Sequence, residues 1–280
     1  MSTDSVSAAQ QTGDGTGGSA EPSSFDTSVA HPARVYDYLL GGKDNYDADR
    51  EAAEGIKAIS PNVVASVRAN RAFLRRAVQY LAAEAGIRQF LDIGTGLPTA
   101  ENTHQVAQEV APESRIVYVD NDPIVLAHAR ALLTSAPEGA TAYIDADLRN
   151  IDQIMSEAAA TLDFSKPVAV MLLCIMQYVP DSAGPHQIVS RLMEQVSPGS
   201  YLTMSDTTRD IETEQMVAGA AQYNQRLGPN VFTPRTGAEF AAFFDGLDLV
   251  EPGLVPLPQW RALADPKQVI PMYAAMGRKP

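Results

Sequence analysis

The sequence predicts an α/β fold in which a mostly parallel sheet carries helices on both faces and follows an N-terminal helical segment. After Gly86, short runs of β-branched and apolar residues alternate with helical stretches, a spacing typical of βαβ units. One run, 168–174, is apolar throughout, as expected of a central strand buried on both faces. Before Gly86 the pattern is helical, with Pro and Gly at positions where helices begin and end.

Three regions differ in composition along the chain. Residues 1–24 are almost entirely Ser, Thr, Gly, Gln, Ala and acidic residues, and the first basic residue is Arg34. Such a stretch cannot bury enough apolar surface to fold, and it lacks the basic start and apolar core of a secretory signal. We expect a disordered tail over 1–24, a helical cap over 25–86 and a sheet domain over 87–280.

The cap is predicted to contain three helices. The first spans Pro32 to Gly41, with Pro in its first turn and Gly at its end. A polar turn follows, and the second helix is predicted over 47–59. Ser60 and Pro61 are typical of an N-cap and first turn, so the third helix is predicted over 61–85.

The sheet domain is predicted to contain seven strands with helices between them. The strands are expected at 89–93, 115–120, 140–144, 168–174, 200–205, 247–250 and 272–276. The helices are expected at 99–110, 123–135, 150–162, 183–196, 211–227 and 235–245.

Composition excludes several functional classes. With 21 basic and 34 acidic residues, the formal charge is −13, which argues against nucleic acid and anionic membranes as partners. The single cysteine, Cys174, cannot form an internal disulfide, so the fold needs no oxidising compartment and we expect a cytoplasmic protein. The longest apolar run is too short to span a bilayer. The four histidines show no zinc-ligand spacing, so no metal is predicted.

The first predicted strand ends in a Gly-x-Gly turn, FLDIGTGLP over 90–98. Glycines let the backbone approach a ligand closely, and a following helix offers free N–H groups. Asp92 stands two residues before Gly94, where it can face a ligand. Position 99 is Thr rather than the third Gly of a dinucleotide fingerprint, which a site for an amino-acid moiety does not require. The alternative is a tight turn without a ligand.

The second predicted strand also ends in acidic residues, VYVDNDP over 117–123. Asp120 stands where a carboxylate can accept hydrogen bonds from both hydroxyls of a ribose. Asp122 precedes Pro123 and is expected to cap the next helix.

The third predicted strand ends in AYIDADLR over 142–149. A carboxylate just past this strand could accept from an adenine amino group, and either Asp145 or Asp147 could provide it. Asp147 is favoured, with Leu148 beside the ring, because it lies beyond the apolar alternation of the strand. The alternative is that Asp147 only caps the next helix.

Together, these strand ends resemble the class I S-adenosylmethionine-dependent methyltransferases, in which Asp-x-Gly-x-Gly is followed by acids ending the second and third strands. The resemblance extends to 171–181 and 197–205, which are similar to the family's fourth strand with its loop and to its Pro-Gly turn with the fifth strand. It implies a Rossmann-like, seven-stranded methyltransferase sheet, mostly parallel with an antiparallel last strand, over 87–280. It also implies S-adenosyl-L-methionine as cofactor.

A narrower resemblance covers nearly everything after the tail. The segments 31–50, 70–76 and 92–99 are similar to one bacterial methyltransferase family that was long catalogued as a domain of unknown function. This resemblance implies the cofactor and the fold, and it implies no substrate.

The expected site follows from these motifs. Cys174, at the end of an apolar strand, is expected to be a buried thiol against the cofactor rather than a nucleophile. The expected cofactor-binding residues are Arg71, Asp92, Gly94, Thr95, Gly96, Asp120, Asn121, Asp147, Leu148 and Cys174. The catalytic candidates near the reacting methyl group are Tyr36, Tyr46 and Gln177.

Polar residues of the cap are candidates for binding an anion. Arg34, Lys43, Asn45 and Tyr46 could bind the cofactor carboxylate or a substrate anion. The alternative is that these groups pair among themselves.

The predicted function is methyl transfer from S-adenosyl-L-methionine to a small organic molecule. One alternative is a nicotinamide-dependent oxidoreductase on a similar sheet, although the missing third Gly and Asp92 count against it. A second alternative is a non-catalytic protein that binds the same cofactor, since no catalytic base is certain from the sequence.

Overall fold

The computed structural model describes residues 26–98, 101–132, 134–227, 231–262 and 269–280. The predicted disordered tail, 1–24, lies outside the described residues. The described chain begins with three helices, as predicted: α1 (Pro32–Leu40), α2 (Asp47–Ile59) and α3 (Val63–Ala83).

Strands and helices then alternate along the chain. The strands are β1 (Gln89–Ile93), β2 (Arg115–Asp120), β3 (Ala140–Asp145), β4 (Ala169–Leu173), β5 (Tyr201–Thr207), β6 (Asp248–Leu249), β7 (Val255–Pro256) and β8 (Met272–Arg278). The helices are α4 (Thr103–Val110), α5 (Pro123–Leu132), α6 (Ile151–Ala158), α7 (Pro185–Glu194), α8 (Thr213–Leu227) and α9 (Gly237–Ala241).

These strands form one sheet in the order β3-β2-β1-β4-β5-β8-β6, with β7 also paired to β8. The first five are parallel, and β8 runs antiparallel to its neighbours. This confirms the predicted Rossmann-like sheet with an antiparallel last strand. Strand β1 lies between β2 and β4 in the sheet. The chain passes from β1 to β2 and β3 on one side and then crosses to β4 on the other side. A crevice therefore opens at the carboxyl ends of β1 and β4.

In the described part of the chain the sheet has eight strands, one more than the seven predicted. The extra strand arises because two short strands, β6 and β7, pair with successive parts of β8. A turn between them, in which Gly253 N–H donates to Val250 O at 2.8 Å, interrupts the edge.

Two helix starts also differ from the prediction. Ser60 ends α2, since its N–H donates to Ile56 O at 2.8 Å, and α3 begins at Val63 rather than at Pro61. Helix α4 begins at Thr103, and residue 99, where the prediction begins it, lies outside the described residues. Residues 94–98 and 101–102 are not helical, so the Gly-x-Gly turn does not lead directly into a helix.

Apolar residues fill both faces of the sheet. On one face, Leu91 and Ile93 belong to a cluster completed by α6, α7 and the segment around Phe240. On the other face, Phe90 packs with α3, α4 and Trp260. Helix α3 therefore packs directly on the sheet, and the domain boundary predicted at 86 falls between two elements that share a core. That boundary stays a prediction.

We predict that α3 is a main support of this second core. Phe73 is fully buried, and its ring meets Trp260 edge-on with centroids 5.3 Å apart. Phe73→Ala should lower the free energy of unfolding by about 3–5 kcal/mol, because it leaves a cavity in a packed interior. Urea denaturation measures this effect. Arg68→Ala, on the exposed side of α3, is the control and should change stability by less than about 0.5 kcal/mol.

Candidate active site

A cavity of about 280 Å³ lies at the carboxyl ends of β1 to β4, under α1. We call it the strand-end cavity. Its walls bring together every residue predicted to bind the cofactor: Arg71, Asp92, Gly94, Thr95, Gly96, Asp120, Asn121, Asp147, Leu148 and Cys174. The catalytic candidate Tyr36 also lines it. Their roles in binding stay predictions.

Asp92 forms a buried acidic wall of the strand-end cavity. The Thr103 hydroxyl donates to its Oδ2 at 2.6 Å. The pKa of Asp92 is raised to about 6, chiefly by burial and to a smaller extent by the nearby Asp120, while the Thr103 bond and the charge of Arg71 oppose the rise. A cationic group entering the cavity would favour the ionised form of this carboxyl.

The Gly-x-Gly turn is held against β2. Gly94 has φ +74°, and its N–H donates to Val119 O at 2.8 Å. A Cβ at this position would lie 2.5 Å from Ile175 Cδ1, so only glycine fits here without displacing the loop after β4. Gly96 N–H donates to Asp120 Oδ2 at 2.9 Å, which fixes the turn to the end of the neighbouring strand.

Asp120 and Asp122 make different contacts at the end of β2. Asp120 is buried in the cavity wall, where burial raises its pKa, and its Oδ1 accepts from Asp122 N–H at 3.0 Å. Asp122 Oδ1 accepts from Ile124 N–H at 2.8 Å, which confirms its role at the start of α5. Its Oδ2 lies 2.9 Å from His31 Nδ1, so α1 is anchored beside the cavity.

Asp147 lines the strand-end cavity and Asp145 does not. Arg149 donates to Asp147 from Nε at 2.7 Å and from its backbone N–H at 2.8 Å. The side-chain bond from Arg149 is the main cause that lowers the Asp147 pKa. Asn150 occupies the N-cap position of α6, so the alternative that Asp147 only caps this helix is wrong.

Cys174 and Tyr36 both line the strand-end cavity. Cys174 has φ +59°, a left-handed conformation that is uncommon outside glycine and occurs at functional sites. The residue is half-buried, and burial raises the pKa of its thiol. The Tyr36 hydroxyl donates to Val67 O at 3.0 Å and accepts from Asn70 Nδ2 at 3.1 Å. Burial raises the pKa of Tyr36 as well, so neither group loses its proton near neutral pH.

A second cavity, of about 130 Å³, lies among α1, α2, α3 and α8. We call it the helix-lined cavity. It shares four wall residues with the strand-end cavity, namely Pro32, Tyr36, Cys174 and Tyr178. Gln177 lines the helix-lined cavity and not the strand-end cavity.

The structure does not bring Tyr46 into either cavity. Tyr46 stands at the start of α2, is 36% exposed, and lies beside the Arg34 guanidinium, whose carbon is 5.4 Å from its ring centroid. Tyr46 therefore lies apart from the other catalytic candidates, Tyr36 and Gln177, and its catalytic role stays a prediction.

The other polar candidates of the cap pair internally. Arg34 is buried, donates to Val29 O at 2.6 Å and lies 3.2 Å from Asp49 Oδ2. Asn45 Nδ2 donates to Asp37 Oδ2 at 2.8 Å. For Arg34 and Asn45 the structure therefore favours the alternative of mutual pairing over anion binding. Lys43 is exposed outside both cavities.

Two buried residues that the sequence did not indicate hold the loop after β4. Arg235 donates to Met176 O and to Val179 O, both at 2.7 Å. Asp206 Oδ1 accepts from Gln177 N–H at 3.2 Å, and its Oδ2 lies 3.9 Å from Arg235 Nη1. Burial raises the pKa of Asp206 to about 7. No local motif marks these residues, because their partners are distant in sequence.

The described ranges contain neither a candidate metal site nor a candidate membrane span. No group of three or more His, Cys, Asp or Glu residues there could hold a metal ion. None of the described helices is long and apolar enough to cross a membrane.

The sheet order and the strand-end cavity define a class I S-adenosylmethionine-dependent methyltransferase. A family model described as S-adenosyl methyltransferase matches residues 18–280. The chain therefore belongs to the S-adenosyl methyltransferase family. This membership supports methyl transfer with S-adenosyl-L-methionine over the nicotinamide-dependent and non-catalytic alternatives.

Two solved structures are similar to the chain over nearly its whole length. A DUF574 family protein from Streptomyces avermitilis has 48% sequence identity and a TM-score of 0.88, covering 91% of this chain and 99% of its own. A protein from Thermobifida fusca, described as a candidate methyltransferase, has 40% identity and a TM-score of 0.83, covering 91% and 96%. No curated protein matches the chain.

The strand-end cavity fits this cofactor chemically. Three of its carboxylates come from adjacent strand ends and a fourth, Asp37, from α1, while Arg71 and Arg149 add cations. Apolar residues, among them Leu97, Leu148 and Ile175, complete the walls. These groups match the parts of S-adenosyl-L-methionine. The carboxylates can accept from its hydroxyl and amino groups, a cation can bind its carboxylate, and the apolar surface can pack against its purine.

We predict that ionisation of Asp206 destabilises the protein. Its pKa is about 7 in the folded chain against the ordinary 3.8, so its favourable contribution is complete below about pH 4 and is lost as the pH rises through 7. Between pH 4.5 and 8, the wild type should lose roughly 2–4 kcal/mol of unfolding free energy relative to Asp206→Asn.

Urea denaturation across this pH range measures the difference. Asp245→Asn, which changes an exposed acid, is the control and should follow the wild-type pH profile. Parallel profiles for wild type and Asp206→Asn would contradict the prediction.

Proposed function

We propose that this methyltransferase transfers the methyl group of S-adenosyl-L-methionine to a small organic molecule in the cytoplasm. The observation that carries the proposal is the pair of adjoining cavities. The strand-end cavity has acidic walls suited to the cofactor, and the helix-lined cavity adjoins it through Tyr36 and Cys174. The chain has one cysteine and therefore no internal disulfide. This supports a cytoplasmic location, because structural disulfides are typical of oxidising compartments.

In this proposal, the strand ends bind the nucleoside. Asp120 accepts hydrogen bonds from the ribose hydroxyls, beside Asn121. Asp147 accepts from the adenine amino group, and Leu148 packs against the ring. These assignments rest on the order of β1, β2 and β3 in the sheet and on the place of each residue in the cavity wall.

The amino-acid part of the cofactor is assigned to the other side of the strand-end cavity. The Arg71 guanidinium attracts its carboxylate, and the Asp92 carboxylate accepts from its ammonium group. The turn from Gly94 through Thr95 to Gly96 brings backbone close to the ligand. When bound, S-adenosyl-L-methionine supplies a methyl group that its positively charged sulfur already activates.

The chain then contributes mainly alignment and exclusion of water. Tyr36 faces both cavities, and its hydroxyl is fixed by Val67 and Asn70. Because burial raises its pKa, Tyr36 keeps its proton and serves to orient the acceptor rather than as a base. Gln177 belongs to the acceptor side. We propose that α1 and α2 form the cap over a catalytic unit built on the sheet.

Calorimetry and a methyl-transfer assay test the proposed function. S-adenosylhomocysteine should bind to the protein, and NAD should not. Incubation with S-adenosyl-L-methionine and a metabolite extract should release S-adenosylhomocysteine in an extract-dependent manner. Tight binding of NAD without binding of S-adenosylhomocysteine would refute the proposal. Cofactor binding without turnover on any acceptor would favour a non-catalytic role.

We predict that Asp120 contributes strongly to cofactor binding. Asp120→Ala should weaken binding of S-adenosylhomocysteine by roughly 1.5–3 kcal/mol, because it removes an ionised hydrogen-bond acceptor. Asp145→Ala is the matched control: Asp145 is the register partner of Asp120 on β3 but lies outside the cavity wall, and its removal should leave affinity unchanged. Equal affinities for the two variants would show that the ribose is wrongly placed. Calorimetry provides both values.

A further inference from the structure

We propose that the helix-lined cavity binds the methyl acceptor, and that this acceptor is an uncharged, mainly apolar molecule with an aromatic ring and at least one polar group. The inference rests on the proposed function and extends it to the class of substrate. Four properties of the cavity support it: its position, its lack of charge, its aromatic wall and the unpartnered hydroxyls of Thr207 and Tyr223.

The position of the helix-lined cavity suits an acceptor. Pro32 and Tyr36 of α1, with Cys174 and Tyr178 at the end of β4, belong to the walls of both cavities. These four residues form the junction at which ligands in the two cavities would meet. Gln215 on α8 is exposed and lies in the wall of the helix-lined cavity, so this wall reaches the protein surface at a residue that does not line the strand-end cavity.

The helix-lined cavity carries no charge among the residues described. None of its lining residues is Asp, Glu, Lys, Arg or His, whereas the strand-end cavity contains Asp92, Asp120 and Arg71. An ionic acceptor would lose its hydration in the helix-lined cavity and gain no counterion. Buried apolar side chains such as Val35, Leu39 and Ala220 face it instead.

One wall of the helix-lined cavity is aromatic. The rings of Tyr178, Tyr223 and Phe232 form a tilted trio, with centroids 5.3 to 6.3 Å apart. Asn224 fixes this wall, since its side chain forms hydrogen bonds of 2.7 and 2.9 Å with the backbone of Phe232. Aromatic rings favour tilted and offset contacts with a further ring, so this wall is suited to an aromatic acceptor.

Two hydroxyls in the cavity lining, those of Thr207 and Tyr223, are buried without a hydrogen-bond partner among the described residues, and Thr207 lies outside the aromatic wall. Gln177 Oε1 accepts from Thr207 N–H at 3.1 Å, which holds the residue in place. A buried hydroxyl without a partner is costly, and a hydroxyl, amine or carbonyl on the acceptor would satisfy it.

Three naphthalene derivatives of similar shape and different charge test the inference. Protein saturated with S-adenosylhomocysteine is titrated by calorimetry with 2-naphthol, 2-naphthoate and 2-naphthylmethylammonium. We expect 2-naphthol to bind roughly tenfold or more tightly than either ion, because only the ions lose hydration without compensation. Tighter binding of either ion would overturn the inference.

Two substitutions locate the binding. Ala220→Phe fills the helix-lined cavity from α8 and should abolish 2-naphthol binding, while Ala218→Phe, on the exposed side of the same helix, should not. Thr207→Val keeps the shape and removes the hydroxyl, so it should weaken 2-naphthol binding by roughly three- to tenfold and leave naphthalene binding unchanged. Equal 2-naphthol affinities for Ala220→Phe and Ala218→Phe would overturn the location, and an unchanged affinity for Thr207→Val would overturn the polar contact.

Binding of S-adenosylhomocysteine separates this inference from the proposed function. It is measured first on each protein and should be unchanged in Ala220→Phe, which shows that this variant is folded. If wild-type protein binds S-adenosylhomocysteine but not 2-naphthol, the assigned substrate class is wrong and the proposed function stands. If it does not bind S-adenosylhomocysteine, the proposed function itself is wrong.

Discussion

The parallel pairing of β1, β2 and β3 is the constraint on which the strand-end cavity depends. It brings the ends of these strands to one edge, so acids separated along the chain line one cavity. Burial raises the pKa values of Asp92 and Asp120, and bonds from Thr103 and Gly96 compensate part of that cost. The Gly94 conformation and the start of α4 are arranged around these two carboxyls.

Much of this arrangement could be predicted because its signals are local. The ends of β1 and β2 fall at the predicted residues, since an apolar run that meets Asp and then Gly or Pro is visible in a short window. Helix starts were less predictable. Ser60 and Pro61 resemble a helix start, yet they form the turn between α2 and α3, because either outcome uses the same residue types.

The helix-lined cavity could not be predicted, because its walls come from four helices whose apolar residues look like ordinary core. Asp206 and Arg235 were missed for a related reason, since each is recognisable only by partners far away in sequence. Tyr46 shows the limit of composition as a signal. It belongs to a polar segment, but the fold places it at the N-cap of α2, outside both cavities.

Helix α1 has a thermodynamic consequence for the reaction cycle. Through Pro32 and Tyr36 it forms part of both cavity walls, and His31 links its start to Asp122. A displacement of α1 therefore changes the two cavities together. If occupation of one cavity alters the affinity of the other through this helix, the effect must be equal in both directions. Release of the product nucleoside and exchange of the acceptor are then linked steps of one cycle, because both ligands would contact α1.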